Sequence, residues 1–317
     1  MTPSLSTGPF HEGERAVQER AGARQRLAEL GPRVIRNFMP EQHREFFIQL
    51  PFLIAGTVDA QGRPWASVLA NPPGFIASPD PEHLLIQAQP LAHDPLAQTL
   101  AQGAPIGLLG IEPHTRRRNR MNGIVEHADG MGFAVRVSQS FGNCPKYIQA
   151  RRPEYLARGA AGAVHRGTQL DAAARQMIRE ADTFFIATAH PAANTSTAAA
   201  HGVDVSHRGG KPGFVRVDGD TLTVPDFPGN FFFNTLGNIA VHPRAGLLFI
   251  DFDSGDLLYL AVRAAIVWDG PEVRAFERAE RLLRFHVEVF RRVEAALPLR
   301  WGEAQLSPVL ERTGAWD

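Results

Sequence analysis

The chain has 317 residues, 44% of them hydrophobic, which suits two domains or two copies of one better than a single average domain. Lys and Arg (33) balance Asp and Glu (33), so no overall field gathers nucleic acid or an anionic membrane, and neither partner is expected. The single cysteine, Cys144, excludes an intrachain disulfide framework or a CxxC metal cluster and fits a reducing, cytoplasmic setting, as does the polar start MTPSLSTGPFHEGER, which lacks the apolar region of a secretion signal.

Residues 11–30 read as a surface helix with a thin apolar stripe of Val17, Leu27 and Leu30, stopped by Gly31-Pro32. A short helix over 40–50 leads into 51–76, two β-rich runs joined by the turn Asp59-Ala60-Gln61-Gly62. HLLIQAQ (83–89) reads as a strand, DPLAQTLAQG (94–103) as a short helix and IGLLGI (106–111) as a strand; 123–143 adds two strands around Ala128-Asp129-Gly130. The basic run PHTRRRNRMNG (113–123) has the chemistry to pair with a phosphate or carboxylate, but reads first as a solvated loop. Residues 144–167 read as a helix and a linker, and 171–181 as a helix. The clearest helical spacing is at 271–297, where Phe276, Ala279, Leu282 or Leu283, Val287 and Phe290 recur among charges until Pro298.

The second half repeats the first. SVLANPPGFI (67–76) aligns without gaps on SHRGGKPGFV (206–215), and IGLLGI on AGLLFI (245–250), both at an offset of 139. FLIAGT (52–57) matches FFIATA (184–189) at 132, HLLI (83–86) matches TLTV (221–224) at 138, and GIVEH (123–127) matches AIVWD (265–269) at 142. Five matches in one order imply a duplicated β domain, and two similar β units are expected to pack as a pseudo-dimer. The expected division is a helical segment over 1–39, a first repeat over 40–160, a second over 161–270 and a C-terminal helix and tail over 271–317.

The two copies differ where chemistry would sit. Val68, Leu69, Ala70, Asn71 and Pro72 of the first copy become His207, Arg208, Gly209, Gly210 and Lys211 in the second. Guanidinium, ammonium and bare backbone are what phosphate binding uses; a solvated hairpin tip is the plain alternative. Nearby VPDFPGNFFFNTLGN (224–238) sets Asp226, Asn230, Asn234, Thr235 and Asn238 among Phe227, Phe231, Phe232 and Phe233, groups able to edge and cover a flat heteroaromatic ring, or else to form an Asx-turn and a capped helix start. His190, His201 and His207 lack metal-site spacing and read as structural or solvated, so no metal is expected. Cys144 reads as a small buried hydrophobe, and no catalytic acid or base stands out.

At DVSHRGGKPGFVRV, PDFPGNFFFNTLGN and RAGLLFIDF the second copy, over about 203–269, resembles the pyridoxamine 5′-phosphate oxidase-related, FMN-binding split-barrel proteins; the first copy, 51–127, resembles the same barrel with less polar equivalents. FHEGERAVQERAG and SFGNCPKYIQARR resemble a tandem subgroup of that superfamily. The resemblance implies a mainly β chain with flanking helices, α+β in class, made of two tandem antiparallel split barrels with FMN in the groove between them. It places Ser206, Arg208 and Lys211 near the ribityl phosphate and Asn234, Thr235 and Asn238 near the start of the helix after the next strand; with His207, Gly209, Asp226 and Asn230 from the residue pattern, these make up the expected cofactor site. The C-terminal Arg-Leu substrate motif of true pyridoxamine phosphate oxidases is not evident in 299–317. The function expected is an FMN-dependent oxidoreductase acting between a nicotinamide or small organic donor and an acceptor, and the alternative is a non-catalytic flavin- or haem-binding protein for storage or sensing. One asymmetric site per chain is expected, and a homodimer is compatible with the sequence.

Overall fold

The computed structural model describes residues 8–157, 159 and 161–316; Met1–Thr7 of the polar start and the expected boundary at 160 lie outside them. Helices α1 (Glu12–Arg20), α2 (Arg24–Val34) and α3 (Glu41–Ile48) lead into the first barrel: β1 (Phe52–Val58), β2 (Pro64–Ala70), β3 (Ile76–Ala77), β4 (His83–Ile86), α4 (Leu96–Thr99), β5 (Pro105–Glu112), β6 (Arg117–Ala128) and β7 (Phe133–Gly142). Strands β8 (Pro153–Tyr155) and β9 (Val164–Gly167) and helix α5 (Ala172–Glu180) connect it to the second: β10 (Thr183–Ala189), β11 (Val203–Gly209), β12 (Arg216–Asp218), β13 (Thr221–Asp226), α6 (Asn234–Val241), β14 (Arg244–Ile250), β15 (Leu257–Val267), α7 (Pro271–Ala275) and β16 (Arg281–Val293), after which β17 (Leu299–Trp301) pairs with β8.

The strand order β2-β1-β5-β6-β7-β4-β3 recurs as β11-β10-β14-β15-β16-β13-β12, antiparallel throughout, so the chain is two tandem split barrels. Local chemistry sets the turns. Asp59, for instance, accepts from the amides of Gln61 and Arg63 at 2.9 Å and so closes the β1–β2 hairpin. Strands β1, β2 and β10 are buried along nearly their whole length, because one face meets the strand's own barrel core and the other meets the opposite barrel. That burial explains why they read as continuous apolar runs instead of alternating ones.

The barrels pack isologously. A Cβ on Gly107 would lie 2.5 Å from the Val203 carbonyl, and one on Gly246 would lie 2.4 Å from that of Pro64. Both pairs are related by the same offset of 139, as a pseudo-two-fold demands, and only glycine admits the contact. Ladder pairing also fixes the repeat register. Ile54 pairs with Leu109 and Phe185 with Leu248, which sets β1 against β10 at 131 in place of 132. Ile106 pairs with Gly123 and Ala245 with Val262, which keeps β6 against β15 at 139 in place of 142.

Three elements differ from expectation. The first helix breaks earlier, at Gly22 in the left-handed region (φ 66°), while Pro32 is carried inside the last turn of α2. Among the described residues of 144–167 no helix forms; their order comes from β8, β9 and contacts with the second barrel. Residues 271–297 form the short α7 and then the long strand β16, where Leu283, Phe285 and Val287 point inward and Arg284, His286 and Glu288 outward. Apolar residues three and four apart also satisfied the helical template, but the period of two over 283–288 governs. No helix among the described residues is long and apolar enough to cross a membrane.

Candidate functional site

A narrow cleft with about 100 Å³ of space inside and an open mouth lies on the seam between the barrels. The first barrel supplies Arg118 and Arg120 from β6 with Asn143 and Cys144 beyond β7; the second supplies Ser206, His207 and Arg208 from β11, Asp226 from β13, and the stretch from Phe227 to the start of α6. Three arginines face one aspartate, so the lining is net cationic. Burial holds the Arg118 guanidinium down to about 10, still protonated at neutral pH, and drives His207 well below its usual value, leaving a neutral imidazole.

A buried network fixes these groups. Arg120 donates to Asp204 at 2.9 Å, to the Asn234 side-chain oxygen at 2.8 Å and to the Ser206 hydroxyl. Asp204 is also held by Asn122 at 2.8 Å and Asn238 at 3.0 Å, and Thr235 donates to Ser206 at 3.2 Å. Behind Asn234, the Glu14 carboxyl on α1 accepts the Asn234 amide; burial, and then the charge of Asp204, raise it well above the usual carboxylate range. Arg208 donates to Asp226 at 2.5 Å, and Asp226 is shared with Arg281 at 3.1 Å.

Several buried donors and acceptors in the lining have no partner: Arg120 Nε, Arg208 Nε, His207 Nδ1 and Asn143 Nδ2. Such orphans are uncommon in folded proteins and fit a site built for a polar ligand. The first amides of α6, at Asn234, Thr235 and Leu236, have no earlier turn to bond and face the cleft, adding the positive end of a helix. Phe231 and Phe233 are left-handed (φ 65° and 61°), a strained state for a bulky residue and one found where function holds it. With Phe227 they give the cleft apolar walls.

Of the ten residues singled out in the sequence, Ser206, His207, Arg208, Asp226, Asn230, Asn234 and Thr235 line the cleft. Asn230 also accepts from the Phe232 amide at 3.1 Å, the Asx-turn alternative. Asn238 lies a turn deeper and acts through Asp204. Gly209 and Lys211 do not reach the cleft. A Cβ at Gly209 would fall 2.0 Å from the Tyr147 carbonyl, so that glycine admits the 144–150 segment, and Lys211 donates to the Thr313 carbonyl at 2.9 Å, pinning the C-terminal segment. The basic run at 113–123 is largely no solvated loop: β6 carries Arg120 to 3% exposure and Arg118 to the cleft wall. The cleft therefore draws on both copies.

The family model of pyridoxamine 5′-phosphate oxidase matches residues 39–162, the first barrel with its lead-in helix. The resemblance read in the sequence was strongest in the second. No curated protein matches the chain. Among solved structures, HupZ of Group A Streptococcus shares 15% identity over 38% of this chain and 91% of its own, with a TM-score of 0.29. A FAD-binding protein from Mesorhizobium loti shares 12% over 41% and 97% (TM-score 0.28). HutZ, the heme storage protein from Vibrio cholerae, shares 14% over 37% and 91% (TM-score 0.26).

Proposed function

Since the chain belongs to the pyridoxamine 5′-phosphate oxidase-related family through residues 39–162, we propose that its inter-barrel cleft binds FMN and that the protein is a cytoplasmic oxidoreductase working between a small-molecule electron donor and an acceptor. The observation that carries this reading is the meeting of Arg118, Arg120, Arg208 and the α6 N-terminus, four sources of positive potential, beside the aromatic walls of Phe227, Phe231 and Phe233. A flavin phosphate suits the arginines and helix amides, and its ring suits the phenyl faces and side-chain amides.

Bound there, the flavin would supply the electron chemistry. The chain's own part is to hold and orient it: Ser206 and Thr235 offer hydroxyls, Asn234 is fixed between Arg120 and Glu14, and Arg208 is fixed by Asp226. His207, neutral and buried at the cleft, supports a second reading in which the cleft would hold haem, with this imidazole as the candidate iron ligand.

Absorption of the purified protein and mass identification of what it releases on denaturation test both. Flavin bands bleached by NAD(P)H and restored by air support the oxidoreductase, whereas flavin that stays inert points to storage or sensing. A Soret band selects haem, and protein that is colourless and takes up neither added FMN nor haem refutes both.

A further inference from the structure

Histidines scattered in the sequence meet at a place outside the cleft. His11 caps α1, Glu12 opens it, and His190 follows β10; one ligand atom from each lies within 4.8 Å of the others. His190 Nε2 stands 2.9 Å from Glu12 Oε1. The ring of His201 stacks on His190 at 3.9 Å, with its Nε2 3.9 Å from Glu12 Oε2. His11 is 3% exposed and its Nε2, 3.6 Å from the Glu14 carboxyl, is buried with no hydrogen-bond partner, while the Glu12 side chain is 56% exposed, so the cluster is buried at one end and open to solvent at the other. Capping does not explain that nitrogen, because His11 caps the Gly13 amide through Nδ1 at 3.1 Å.

We propose that His11, Glu12 and His190 form a zinc site, with His201 beside it. Two imidazoles and one carboxylate suit Zn²⁺ better than the oxygen-seeking Ca²⁺ or Mg²⁺, and three protein ligands leave a fourth position for water. Zinc bonds of 2.0–2.2 Å set ligand atoms about 3.4 Å apart. A swing of the exposed Glu12 and small ring shifts reach that from the present spacing. Nδ1 of His11 and of His190 accept the Gly13 and Ala192 amides, which places the metal-free proton on Nε2. Zinc uptake moves that proton from Nε2 to Nδ1 of each ring and gives up the hydrogen bonds from the Gly13 and Ala192 amides, a cost set against three metal bonds.

The position gives the ion a structural role. It would tie α1 to the second barrel, and α1 crosses α6 so closely that a Cβ on Gly13 would lie 2.3 Å from the Gly237 carbonyl. The tie would thus brace the helix whose N-terminus faces the cleft.

Untagged full-length protein, stripped with a chelator, is titrated with Zn²⁺ by calorimetry, with metal content read by mass spectrometry. One zinc per chain is expected, with affinity at least about tenfold weaker in Glu12→Ala and in His190→Ala. Zinc should raise the thermal midpoint of the wild type and leave Glu12→Ala unmoved. Absence of saturable uptake, or wild-type affinity in Glu12→Ala, overturns the site. Glu12 is exposed, so its variant decides the matter even if His190→Ala does not fold, and zinc content reads independently of flavin.

Discussion

Replacing Arg208 by methionine should weaken FMN binding and leave riboflavin binding almost unchanged. Arg208 is largely buried, its Nη1 is held by Asp226 at 2.5 Å, and its Nε has no partner. Asp226 keeps Arg281 at 3.1 Å after the substitution, so no uncompensated carboxylate is left to unfold the barrel. What is lost is one charge-assisted contact to the phosphate, worth about 1.5–3 kcal/mol, or about 10- to 150-fold in Kd. Riboflavin has the same ring and ribityl chain without the phosphate, so its affinity should move by less than about threefold. Quenching of flavin fluorescence on titration gives both constants, and their ratio removes any general loosening of the cleft. Equal weakening of the two ligands, or no weakening of FMN, would refute the placement of the phosphate at Arg208.

Three further outcomes are expected. Flavin released from the loaded protein should amount to one per chain, and a ratio of two by absorbance against protein mass would sink the single-site reading. Lys211→Ala should leave FMN affinity within about threefold and lower stability by about 1 kcal/mol, the worth of its bond to the Thr313 carbonyl, as read by urea unfolding and flavin titration. Asp94 is fully buried, and burial lifts its carboxyl from 3.8 to about 6, so the fold favours the protonated form. Stability should therefore fall as pH rises from about 4 to about 6 and stay level above, by about 3 kcal/mol from this group; Asp94→Asn should remove that slope, and unfolding curves at pH 4 and pH 8 that change as in the wild type would exclude it.

The duplication was legible because strands buried on both faces keep apolar identity in both copies: IGLLGI and AGLLFI occupy equivalent ladder positions in β5 and β14. Half-buried strands were harder. LRFHV (283–287) in β16 is the counterpart of FAVRV (133–137) in β7, but the insertion around α7 moved the offset to 150, so the repeat did not announce it and helical spacing prevailed. In the cleft, the residues of the second copy were readable as substitutions against the first. Arg118 and Arg120 were not, because a charged run looks solvated until a second barrel is laid over it. The meeting of His11 with His190 likewise depends on where α1 docks, which no local spacing encodes.

The pseudo-two-fold generates a second groove, and its contents explain why only one should hold a cofactor. Arg120 pairs across the ladder with Leu109 and Tyr259 with Leu248, so Tyr259 takes in one groove the place that Arg120 takes in the other. Ser67 corresponds in the same way to Ser206, and Asp94 stands before α4 as Asn234 stands at the start of α6. In the cleft, the Nε atoms of Arg120 and Arg208 are buried without a hydrogen-bond partner. In the other groove, Ser67 donates to Asp94 at 2.5 Å, Tyr259 donates to it at 2.9 Å, the Leu96 amide donates at 2.8 Å, and the phenol is fully buried. Val68 and Leu69 stand where His207 and Arg208 would be, and Leu257 where Arg118 would be, all of them buried. A phosphate entering there would meet a carboxylate and apolar walls in place of guanidinium, and its charge would be desolvated without compensation. The same ladder thus builds a satisfied, sealed seam on one side and an unsatisfied, cationic one on the other, and only the second is able to receive an anion.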